Sequence, residues 1–171
     1  MDRNYSKKAI RNAIKTGDIN VVKKLIGDDI EVLNTMTVFG TWLHVAVKKE
    51  NLQIVRYLVE KGIDVNAKGG TFDASALNLA AGSGNLEIVK YLIESRAELD
   101  VSLAKRNPLF GAIYGGHKEV VKYLVQKGID MSIKYTGENI KNMNAYEYAR
   151  KFGQTDIAEY LKRKMTEKVE S

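Results

Sequence analysis

The stretch Thr41–Asn66, TWLHVAVKKENLQIVRYLVEKGIDVN, decides the fold, because weaker versions of it recur on either side. Aligned on one small residue, the copies give Ala13, Ala46, Ala80, Ala112 and Ala149, at steps of 33, 34, 32 and 37 residues. Leu25, Leu58, Leu92, Leu124 and Leu161 keep the same steps, and so do Gly17, Glu50, Gly84, Gly116 and Gly153. Three anchors in phase over five copies make the chain a tandem array of one structural unit.

Within the quoted copy, Leu43, Ala46 and Val47 recur at helical spacing, which predicts a first helix ending near Glu50. Asn51 fits the N-cap of a second helix that turns Leu52, Ile54, Val55, Leu58 and Val59 inward. Gly62 suits the left-handed residue just past that helix, and Ile63–Asn66 leads into an extended loop. Neither helix buries its apolar stripe alone, so each copy must stack on the next.

Composition agrees with a folded, water-exposed array. Of 171 residues, 44% are hydrophobic and 28% charged, too apolar for a disordered chain. No apolar run approaches the ~18 residues of a membrane span, and the N-terminus lacks the apolar core of a secretory signal. Those features set the expectation of a cytoplasmic protein without a membrane partner. Cysteine is absent, which removes disulfides, thiolate metal sites and a cysteine nucleophile. The net charge of +6 is spread over all copies, as expected of Lys-rich outer faces that keep an array soluble; it is also compatible with an acidic or nucleic-acid partner.

The repeat resembles the ankyrin family. Thr41-Trp42-Leu43-His44-Val45-Ala46 stands where that family carries T-P-L-H-x-A, and Gly62-Ile63-Asp64-Val65-Asn66 stands where it carries G-A-D-V-N. Ser75–Ala81 and Asn107–Ala112 repeat the entry motif, each followed by a matching second helix. The resemblance implies an all-α solenoid of paired antiparallel helices with projecting finger loops. Its repeats fall at about 5–34, 37–67, 71–101, 103–133 and 140–165. The first and last are expected to act as caps, because charged residues replace apolar ones on their helices, and the charged residues 166–171 are expected to fray. The frame shared by the copies includes Leu43, His44, Ala46, Gly62, Ala80, Ala112 and Gly128, and the family's use of the histidine is to hydrogen-bond a neighbouring loop.

Three departures from the pattern set expectations. Arg96 occupies the place of Gly62 and Gly128, where a left-handed backbone should cost a non-glycine residue about 1 kcal/mol. Trp42 replaces the usual proline and forgoes its preset φ. The step of 37 places extra residues between Asp130 and Asn144, predicting a longer finger.

Chemistry is sparse. His44 and His117 lie more than two repeats apart and cannot share a metal, and His117 opens a second helix in the place of Asn51. No H-x-x-x-H or D-x-D-x-D-G pattern is present, and Gly69-Gly70 and Gly115-Gly116 lack phosphate-loop spacing. No metal, no cofactor and no enzyme activity are expected.

What the resemblance implies instead is a monomeric, non-catalytic module that binds another protein through first-helix ends and fingertips. Transferred copy by copy, those places are Val38, Phe39, Trp42, Lys48 and Lys49 in the second repeat and Phe72, Asp73 and Ser83 in the third. The fourth contributes Leu103, Lys105, Arg106 and Tyr114, and the fifth Tyr135, Lys151 and Phe152. Aromatic and Arg side chains dominate hot spots, which favours the rings among them. A dedicated inhibitor of one enzyme fits the same expectation. The alternative class is an anionic ligand or nucleic acid held by Lys48, Lys49, Lys105, Arg106 and the rings.

Overall fold

Both helices of a repeat end in the same way, and that ending explains the anchors. After the first helix Glu50 is left-handed (φ 55°), Asn51 N donates to Ala46 O at 3.2 Å and Glu50 N to Val47 O at 2.8 Å. After the second helix Gly62 is left-handed (φ 89°), Ile63 N donates to Leu58 O at 3.1 Å and Gly62 N to Val59 O at 2.9 Å. Each pair of bonds is a Schellman ending, in which two of the carbonyls in the helix's last turn are capped by the chain as it turns away. Ala and Leu mark the accepting turn and Gly the left-handed residue, so the repeat in the sequence is a repeat of helix stops. Ala46, Ala80, Ala112 and Ala149 are fully buried besides, a place where only a small side chain fits.

The computed structural model describes residues 3–70 and 73–169, with side chains from 7 to 167 apart from 71 and 72. The helices in chain order are α1 (Arg3–Thr16), α2 (Ile19–Ile26), α3 (Ile30–Leu33), α4 (Trp42–Lys48), α5 (Leu52–Glu60), α6 (Ala76–Ser83), α7 (Leu86–Glu94), α8 (Pro108–Tyr114), α9 (Lys118–Gln126), α10 (Ala145–Lys151) and α11 (Thr155–Val169). Two strands, β1 (Tyr135–Gly137) and β2 (Ile140–Met143), precede α10. The chain divides into two compact units: Met1–Ala80 with Glu87–Glu98, and Ala81–Leu86 with Leu99–Ser171.

In the first unit α1 packs on α2 and α4, and α4 on α5. Ile10, Ile14, Val22, Trp42, Leu43, Ile54 and Leu58 are its fully buried core. Asn51 caps α5 as expected, its Oδ1 accepting from Ile54 N at 3.0 Å. In the second unit α8 packs on α9 and α10, and α10 on α11, around Leu109, Ile113, Val121, Leu124 and Leu161. Asn144 and Glu147 form a reciprocal capping box at the start of α10, with bonds of 3.0 and 2.9 Å.

Four differences from expectation follow from local physics. The extra residues before α10 form an antiparallel hairpin, pairing Tyr135 with Met143 and Gly137 with Ile140, so the helical fold carries one small sheet. Residues 166–169 are helical rather than frayed: Glu167 accepts from Lys164 Nζ at 2.7 Å and lies 3.8 Å from Arg163, pairs that tie the last turns of α11 together. The first helix starts at Arg3, ahead of the first repeat's expected start at about residue 5. The single turn α3, capped by Asp29, was not foreseen at all.

Candidate partner-binding surfaces

In the first unit a finger precedes each entry motif, and the finger before α4 is built by Thr37. Its amide donates to Gly40 O and its carbonyl accepts from Gly40 N, both at 3.0 Å, while its hydroxyl donates to Gly40 O at 2.7 Å and accepts from Phe39 N at 3.1 Å. The turn spends its polar groups on itself and holds Val38 out at 84% exposure and Phe39 at 47%. Met36 is likewise half exposed, and the Arg11 guanidinium lies over the Phe39 ring at 5.2 Å. The turn leads into Thr41 and α4, whose far end carries the exposed Lys48 and Lys49.

His44 ties this finger to the next. Its Nε2 donates to Ala74 O at 2.9 Å, which leaves Nδ1 to accept from the Thr41 hydroxyl at 2.8 Å and the Thr41 amide at 3.2 Å. Burial pushes the imidazole pKa down, the bond to Ala74 opposing it. A neutral ring with a fixed tautomer is therefore the folded form. The neighbouring finger is closed by Gly69 and Ala74, paired as a bridge; Asp73 at its base is exposed and left-handed (φ 48°).

Trp42 overturns its expectation. It is 0% exposed, and its Nε1 donates to Val32 O at 2.8 Å, so the indole pins α3 beneath the finger and offers a partner nothing. Phe72 lies outside the described residues. Ser83 is exposed at the end of α6.

The second unit places His44's equivalent, Phe110, at the start of a row of rings. Phe110 meets Tyr135 edge-on at 4.9 Å and Tyr148 at 4.5 Å; Tyr148 meets Phe152 at 4.6 Å, and Phe152 meets Tyr114 at 5.1 Å. Tyr114 ends the row at 65% exposure, and Phe152 is half-buried against it. Tyr135 corrects the sequence expectation: its hydroxyl donates to Val101 O at 2.6 Å and accepts from the buried Asn107 Nδ2 at 3.0 Å, so it fastens the hairpin and does not await a partner. Burial raises its pKa, and that of Tyr148. Lys105 and Leu103 are exposed, Arg106 is half-buried, and the Lys151 ammonium donates to Asn139 O at the tip of the hairpin.

His117 starts α9 without capping it; its Nε2 reaches Gly82 O at 3.0 Å. A Cβ on Gly84 or Gly115 would come within 2.3 Å of that ring, so both glycines make room for it. Of the frame residues, Leu43, His44, Ala46, Ala80 and Ala112 are buried, and Gly62 and Gly128 are left-handed. Sequence reasoning missed Met36, Arg11, Phe110 and Tyr148. The pairs Phe110–Tyr114 and Tyr148–Phe152 stand four apart on helices, a signal that would have found the row; Arg11 over Phe39 joins different repeats and leaves none.

The family described as ankyrin repeats (3 copies) matches residues 9–103 and 77–170, which together span nearly the whole chain. The chain belongs to the ankyrin-repeat family. It is also similar to a palmitoyltransferase AKR1 of Naumovozyma castellii, 42% identical over 62 residues, which are 36% of this chain and 8% of that protein. The shared stretch is thus a small piece of that relative. Ankyrin repeats are helical repeat domains that generally mediate protein–protein interaction and are typically non-catalytic. No helix among the described residues is long and apolar enough to cross a membrane, and no three His, Cys, Asp or Glu among them gather to hold a metal.

Proposed function

We propose that this ankyrin-repeat chain is a non-catalytic binding module that recognises another protein. In the first unit it would use the Val38–Phe39 fingertip with Lys48 and Lys49, and in the second Leu103, Lys105 and the Tyr114–Phe152 pair. The observation that carries the reading is the fingertip. A turn whose four hydrogen bonds are internal holds Val38 at 84% and Phe39 at 47% exposure. Exposed rings and branched aliphatics on a rigid backbone lose little entropy on docking.

A photo-crosslinking residue placed at Val38 or Tyr114 should capture a protein in extract of the native host. The same residue at Gln53 or Gln126, exposed on the second helices, should not. Equal capture at all positions, or none at the first two, would overturn the reading. The exposed Lys48 and Lys49 beside the fingertip make a nucleic acid the second reading; oligonucleotide binding that weakens steeply with salt would support it.

A further inference from the structure

We infer that Met36 is a site of reversible oxidation by a peroxide, and that its sulfoxide loosens the Thr37–Gly40 fingertip and weakens partner capture there. The oxidation itself is independent of the protein-binding reading; its consequence for capture rests on that reading.

Met36 stands apart from Met131, Met143 and Met165. It is 51% exposed, whereas Met131 is buried and the other two are half-buried. An oxidant in water therefore reaches its thioether first. The same sulfur lies where one finger meets the next. A Cβ on Gly69 would stand 3.1 Å from Met36 Sδ and 2.8 Å from Gly40 Cα. Gly69 is not left-handed, so what a glycine supplies there is room. The second finger comes up against the first with the sulfur lodged beside the contact. A thioether suits that place, because it is apolar, polarisable and able to fill an irregular gap.

Oxidation changes those properties. A sulfur lone pair bonds to one peroxide oxygen as the O–O bond breaks, and the second oxygen leaves with both hydrogens as water. Sulfur loses two electrons and the peroxide gains them. The product is polar and carries an added oxygen on the atom beside Gly69. To solvate that oxygen the side chain has to swing off the second finger. Met36 adjoins Thr37, whose amide, carbonyl and hydroxyl build the turn under Val38 and Phe39, so the movement reaches the fingertip. A sulfoxide reductase reverses the step, two thiols becoming a disulfide as the oxygen departs in water.

Graded hydrogen peroxide on the full chain, followed by peptide mass mapping, tests the site. Met36 should oxidise at least about fivefold faster than Met131, Met143 or Met165. Amide exchange at Gly40, Gly69 and Ala74 should speed up about threefold or more in the Met36-oxidised protein and in M36Q. In peroxide-treated M36L it should keep the parent rate. Capture of host protein by the Val38 crosslinker should fall about threefold or more on oxidation and return with methionine sulfoxide reductase and dithiothreitol. M36L should capture equally with and without peroxide. Met36 oxidising no faster than the other three, exchange unchanged by the sulfoxide, or a loss of capture that M36L does not prevent would each overturn the inference. Failure of the protein-binding reading looks different. There the untreated Val38 crosslinker captures nothing, while oxidation rates and amide exchange still decide the fate of Met36.

Discussion

The two units fasten one finger to another by different chemistry at the same repeat position. In the first unit His44 does it, giving a proton to Ala74 O and taking two from Thr41. In the second unit the position is Phe110, which has no polar atom. The fastening passes to Tyr135, whose hydroxyl bridges Val101 O and Asn107 while its ring stands edge-on to Phe110. The repeat thus dictates that a fastening exists and where it sits, and each copy chooses how to make it. One choice is titratable near neutral pH and the other is not. The first-helix ends diverge in parallel: Lys48 and Lys49 correspond to Tyr114 and Gly115, so the first unit is basic where the second is aromatic.

The largest contrast to break is at the first turn of the entry helix, where Trp42 stands opposite Pro108. Pro108 acts through its fixed φ, whereas Trp42 acts through burial and a bond to Val32. Trp42→Ala should cost about 3–5 kcal/mol by emptying a core site and freeing α3. Denaturant unfolding measures the loss, and hydrogen exchange should show faster opening at residues 30–33. A cost below about 1 kcal/mol would mean the indole is replaceable by solvent.

His44→Phe rewrites the first fastening as the second. The Thr41 hydroxyl then stays buried without a partner and the Ala74 carbonyl keeps only the Gly69 amide, so the variant should lose about 1–3 kcal/mol at neutral pH. The pH dependence is the sharper test. Burial holds the folded imidazole below its ordinary value of 6.5, so on acidification the unfolded chain binds the proton first. The parent's stability is thus full above that value and declines as pH falls beneath it. Melting curves between about pH 7.5 and 5 should show this decline in the parent and a flatter profile in the variant. Equal slopes would mean His44 is not the group concerned.

Tyr135→Phe removes only the hydroxyl of the second fastening and keeps the ring on Phe110. It should cost about 1 kcal/mol, with no change in pH dependence near neutrality. Exchange protection should fall at the hairpin amides of residues 135–143, and an unaltered pattern would show that the ring alone holds the hairpin.

What was legible in the sequence was what is local. A Schellman ending spans six residues, so Ala46, Glu50, Leu58 and Gly62 could be placed from spacing alone, and Asn51 was recognised as a cap because it bonds only three residues onward. Trp42 and Tyr135 were misjudged for the opposite reason. Their partners are 10, 28 and 34 residues away, in a four-residue helix and in loops that have no periodic signature. A ring at such a position reads alike whether it faces water or a neighbour. Val38, Phe39 and Tyr114 share that ambiguity, and it was the structure that put them on the surface.

Arg96 gives the smallest effect and the closest like-for-like test. The residue after the second helix is Gly62 in the first unit and Gly128 in the second, at φ 89° and 86°, and Arg96 adopts the same region at 67°. Its carbonyl accepts from Asn66 Nδ2 at 3.3 Å, a bond that glycine keeps, and its exposed side chain makes no ion pair among the described residues. Left-handed backbone costs an ordinary residue about 1–2 kcal/mol, and glycine returns up to about 1 of it through the freer unfolded chain. Arg96→Gly should therefore stabilise by up to about 1 kcal/mol, raising Tm by roughly 2–4 °C at most for a chain of this size. Gly62→Arg and Gly128→Arg should each lower it comparably, since a Cβ meets nothing at either site and only the backbone term changes. If Arg96→Gly lowers Tm while the reverse substitutions also lower it, the stop after α7 is held by something other than backbone geometry.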